Sequence, residues 1–74
     1  MTYANAHKVK VYKTFADYVP NDPEPYGVQT IILGEFSKDK SGIDEHHFEW
    51  FATQAEQQAE YDKVIGEVSR GEWV

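Results

Sequence analysis

TQAEQQAEYDKVIGEVSRG, running from Thr53 to Gly71, is the stretch that decides the fold. Tyr61, Val64, Ile65 and Val68 recur at i, i+3, i+4 and i+7, which draws one apolar stripe along a helix. Thr53 followed by Glu56 matches a capping box, in which the threonine hydroxyl accepts from the backbone N–H three residues on. Gly71 is placed to stop the helix in a left-handed cap, so that Trp73 folds back onto the last turn. The spacing predicts one helix over residues 54–70 with Ile65 at the centre of its buried stripe. Ala55, Ala59 and Gly66 lie beside that stripe and are expected to let the helix approach its support closely. Glu56, Glu60, Lys63 and Glu67 are expected on the outer, solvent side.

What the helix packs on is read upstream. HKVKVYKTF (residues 7–15) alternates Val9, Val11 and Phe15 with Lys8, Lys10 and Tyr12, the period of a strand. Thr14–Val19 is read as a single helical turn, and the three prolines of PNDPEPYG (residues 20–27) then force an extended or turning connection. YGVQTIILGEF (residues 26–36) is apolar on both faces around Ile31–Leu33, as a central strand covered on both sides requires. SKDKSGID (residues 37–44) suits a hairpin connection, and EHHFEWF (residues 45–51) is the returning strand. The expected fold class is α+β: a β-β-β-α meander, a three-stranded antiparallel sheet with one C-terminal helix packed on one face. Seventy-four residues without an internal repeat or a long linker make this one domain, 1–74.

Composition narrows the function classes. Hydrophobic residues make up 41% and charged residues 27%, a globular balance. Seven Lys and Arg stand against thirteen Asp and Glu, a net charge of −6, and that field repels phosphate backbones and anionic membranes. The charge is uneven. Residues 1–43 are balanced at five basic and five acidic, and residues 44–74 carry two basic against eight acidic, so the whole net charge resides there. No cysteine is present, which removes disulfides, thiolate catalysis and thiolate zinc sites. The N-terminus lacks the apolar stretch of a signal peptide and no segment is long and apolar enough to span a bilayer, so the expected location is cytoplasmic.

Signatures of chemistry are missing. The five glycines fit no phosphate-cradling spacing, and Ser37, Ser41 and Ser69 lie in no nucleophile elbow. A chain this small also leaves little volume for a pocket of about 300 Å³ or more. No enzymatic activity, catalytic residue, cofactor or metal is expected. Glu45, His47 and Glu49 share one face of the third strand, a carboxylate–imidazole–carboxylate trio that a divalent metal would accept. The plainer reading of that trio is a solvated strand face. Lys8, Lys10 and Lys13 with Tyr3 and Tyr12 form the only basic patch, whose plain reading is an edge strand guarded by lysines.

The acidic half is the feature with functional content. A row of carboxylates on a rigid element imitates a phosphate row or complements a basic groove. The expected partner-binding residues are Glu45, Glu49, Trp50, Phe51, Glu56, Glu60 and Glu67, facing a protein target with a basic surface. The leading expectation is a non-enzymatic inhibitory protein of the size and charge seen in phage-encoded inhibitors of host defence or transcription machinery, acting on a nucleic-acid-binding protein. The alternative is an assembly subunit that homodimerises through the second sheet face, since strands two and three are apolar on both sides. A third is a small nucleic-acid binder using the Lys8–Tyr12 stripe.

Overall fold

Val9, Val11, Val28 and Ile32 alternate with polar or half-buried neighbours on two strands, and Val64 and Val68 recur on a helix. Bringing these six together buries one small core, and that requirement sets the arrangement. The computed structural model describes residues 3–17, 20–37 and 41–74. Strand β1 (Val9–Phe15), strand β2 (Tyr26–Ile32) and strand β3 (Glu45–Phe51) form an antiparallel sheet in the order β1-β2-β3, followed by helix α1 (Gln54–Ser69) across one face. This is the expected α+β meander.

Register decides which side chains meet. Val9 pairs with Ile32, Val11 with Thr30 and Lys13 with Val28. Across the other junction Ile32 pairs with Glu45, Thr30 with His47 and Val28 with Glu49. The face under the helix therefore reads valine–isoleucine on β1 and β2 and glutamate–histidine–glutamate on β3. The opposite face carries Lys10, Tyr12, Ile31, Gln29, His46, Phe48 and Trp50 by the same alternation.

Helix α1 begins and ends as its sequence requires. Thr53 Oγ1 accepts from Glu56 N at 3.2 Å, and its hydroxyl donates to Glu56 Oε1 at 3.0 Å. The Glu56 carboxylate thus partners the threonine side chain instead of the backbone N–H that a capping box supplies. At the other end Gly71 adopts φ 76°, Gly71 N donates to Val68 O and Glu72 N to Glu67 O. That is a Schellman cap, which needs a left-handed residue at the position glycine occupies. Asn5 Nδ2 donates to Val68 O at 2.9 Å and so ties the N-terminal segment to the same helix end.

Four details differ from the sequence reading. The second strand stops at Ile32, and Gly34–Phe36 forms a short 3-10 turn held by Asp44 Oδ1, which accepts from Gly34 N at 2.8 Å. Thr14 and Phe15 stay in β1, opposite Gly27 and Tyr26, where ladder pairing outcompetes a helical turn; Tyr18 and Val19 lie outside the described residues. Ala55 and Ala59 are exposed, and a Cβ on Gly66 would meet only Arg70, so these small residues form the outer helix face. Contact with the sheet instead falls to Gln57, 3% exposed, whose Nε2 donates to Thr14 O at 3.1 Å and Gly27 O at 2.9 Å. Finally, Ile65 is half-buried while Val64 and Val68 are 2% and 1% exposed, so the helix is rotated to centre its buried face on Val64 and Val68 and not on Ile65.

Candidate functional site: the cleft between the third strand and the helix

The rotation of the helix has a consequence for charge. Val64 faces the core, so Glu60 one turn before it and Glu67 three residues after it flank the core on the β3 side. Both are half-buried and not on the outer face. Because α1 packs its apolar residues on β1 and β2, it leaves the underside of β3 to these carboxylates. An open cleft of about 490 Å³ results, lined by Ile32, Glu45, His47, Glu67, Glu72 and Trp73. A narrow cavity of about 30 Å³ continues beneath it among Val28, Thr30, His47, Glu49, Glu60 and Val64. The cleft is larger than a chain of this size was expected to hold, because it is a surface gap between two elements and not an enclosed pocket.

Electrostatics inside the cleft are unfavourable by arrangement. Burial pushes the Glu60 carboxyl above its ordinary value, and the nearby negative charge of Glu49 pushes it further in the same direction. Lys63, with Nζ 3.9 Å from Glu60 Oε1, opposes this, and Glu67 adds to it. His47 Nε2 lies 3.7 Å from Glu45 Oε2, and its ring meets Trp73 edge-on at 5.5 Å between centroids. Trp73 Nε1 donates to Glu67 Oε1 at 3.3 Å, so the indole folds back as the Gly71 cap predicts and becomes a wall of the cleft. Arg70 pairs with Glu72 at the rim. Among the described residues no three His, Cys, Asp or Glu side chains are placed to share a metal ion.

The seven expected partner-binding residues divide accordingly. Glu45, Glu49, Glu60 and Glu67 come together in or beneath the cleft. Glu56 lines neither space and is engaged with Thr53 at the helix start. Phe51 packs against the core. Trp50 points from the opposite face, covering Gly27 so closely that a Cβ there would lie 2.7 Å from the indole. Its ring is parallel to that of Phe48 within 2°, at 6.3 Å between centroids. His47, Glu72 and Trp73 were not singled out as partner residues; the strand parity of His47 and the glycine cap ahead of Trp73 are the signals that mark them.

The residues of the basic patch are divided between two faces of the sheet. Tyr3 turns its hydroxyl into β1, Lys13 Nζ sits 5.1 Å above the Tyr61 ring on the helix side, and Lys8 Nζ sits 5.8 Å from the Phe36 ring. Lys10 and Tyr12 remain together on the open face. No helix of the described residues is long and apolar enough to cross a membrane. No protein-family model, no curated protein and no solved structure matches this chain.

Proposed function

We propose that this chain is a non-enzymatic binding protein that takes a protein partner with a basic surface into the carboxylate-lined cleft between β3 and α1. The observation that carries this reading is the gathering of Glu45, Glu49, Glu60 and Glu67 about the gap between β3 and α1. Burial and the neighbouring Glu49 disfavour the charged form of Glu60, and Lys63 opposes this. A partner that brings cations to these carboxylates complements the field they set up. Blocking a nucleic-acid-binding protein, by presenting carboxylates where that protein expects phosphates, is the partner class that fits best.

The test is binding kinetics on a basic partner recovered by affinity capture. Reversing Glu45, Glu49 and Glu67 to Lys is expected to slow association, and added salt is expected to weaken the wild-type complex. Glu56→Lys, outside the cleft, is expected to change binding little. A complex indifferent to salt, or one captured equally well by the triple variant, overturns the proposal.

A further inference from the structure

We infer that the outer edge of β3 takes up an extended segment of the partner as a fourth strand, one that is basic at alternate positions on the helix side and apolar on the other. The inference rests on the binding reading above and specifies its docking mode. A three-stranded sheet has two edges, and this one treats them differently. At β1 the Tyr3 hydroxyl donates to Val9 O at 3.0 Å and accepts from Val11 N at 3.0 Å, occupying two of the backbone groups a new strand would need at the start of that edge. The chain before β1 also doubles back there, with Asn5 O accepting from Lys8 N and Val9 N. Along β3 no hydrogen bond among the described residues reaches the backbone groups that face away from β2. His46, His47, Phe48 and Glu49 are all exposed, and the strand holds no proline, glycine or lysine; what guards this edge is the pair Glu45 and Glu49, charges that a basic strand neutralises.

An added strand takes its affinity from main-chain hydrogen bonds and its selectivity from alternate side chains. On the helix side its residues lie beside Glu45 and Glu49, with Glu60 behind them, so lysine or arginine belongs there. On the other side they lie beside Phe48 and Trp50, where an apolar or aromatic residue belongs. A second copy of the chain is the competing occupant. Two β3 edges paired antiparallel about a twofold axis at His47 set Glu45 of one copy against Glu49 of the other, which is destabilising, whereas an axis at Phe48 sets His47 against Glu49. A basic partner strand meets the carboxylates with opposite charge in either register. The lysine-bearing β1 has a suitable alternation, but Tyr3 already holds Val9 O and Val11 N at its start.

The probe is the peptide acetyl-Lys-Phe-Lys-Val-Lys-Phe-Lys-amide, titrated into the full-length chain and followed by backbone amide NMR. Expected are shifts concentrated on β3, slowed exchange of its amides, and binding about tenfold weaker for the Glu45→Lys, Glu49→Lys double variant. A peptide of equal composition with its lysines in one block, and one N-methylated at alternate residues, are each expected to bind at least about tenfold more weakly than the alternating peptide. Equal binding of all three peptides, still sensitive to salt, overturns strand addition and leaves the basic-partner reading standing. Loss of salt sensitivity as well overturns both. Concentration-dependent shifts on β3 without peptide would assign the edge to a second copy and overturn the inference.

Discussion

The two outer strands of the sheet are equal in length and opposite in almost every other respect. β1 buries Val9 at 0% and Val11 at 6% exposure, whereas no residue of β3 is fully buried. β1 carries lysines and has two outer backbone groups held by Tyr3; β3 carries two glutamates under the helix, and no hydrogen bond among the described residues reaches its outer backbone groups. The lesson is that the buried core and the gathered carboxylates fall to opposite sides of one small sheet. β1 with β2 holds the helix, and β3 is free to be shaped by charge.

The sharpest way to break that comparison is to truncate one residue on each strand. Val9→Ala is expected to cost about 1.5–3 kcal/mol, because Val9 is fully buried between sheet and helix. His47→Ala, at an exposed position of β3, is expected to stay within about 0.5 kcal/mol. Urea denaturation of both variants checks this, and equal losses would mean that β3 shares the core after all.

Tyr3→Phe tests the closed edge. Losing the hydroxyl removes a donor to Val9 O and an acceptor for Val11 N, at an expected cost of about 1 kcal/mol. The Val11 amide should then exchange faster with solvent while β3 amides are unchanged. An unaltered Val11 amide would remove the distinction between the two edges.

The smallest effect is expected from Glu60→Gln, and its pH dependence carries the information. The Glu60 pKa is raised in the folded chain, so the folded state holds the proton more tightly than the unfolded state does. Stability from that proton is present below the ordinary carboxyl value of 4.5 and is lost as pH rises through the raised folded value. At neutral pH the ionised side chain opposes folding, and the glutamine variant is expected to melt at a higher temperature than the wild type. The two melting curves should converge as the pH falls below the carboxyl range. A variant less stable than wild type at neutral pH would show that Lys63 outweighs burial and Glu49.

Much of this architecture was legible in the chain itself. The stripe of Tyr61, Val64, Ile65 and Val68, the Thr53 cap, the Gly71 stop and the three strands are local patterns. Each depends on a few neighbouring residues, whose dihedral preferences and periodicity operate wherever the segment sits. The confinement of net charge to residues 44–74 is likewise a property of the sequence alone. What only the tertiary structure decided was the rotation of the helix about its own axis and the strands it leans on. Helical spacing defines a stripe but not which flank meets β3, and a half-buried glutamate looks the same in sequence as an exposed one. Packing the small side chains of Val64 and Val68 over β1 and β2, with Gln57 satisfied by two strand carbonyls, turned Glu60 and Glu67 inward and Ala55 and Ala59 outward. The same packing set the carboxylates of β3 beneath that flank. The acidic cleft is thus a product of the core's geometry, built from residues whose charge was plain in the chain and whose proximity was not.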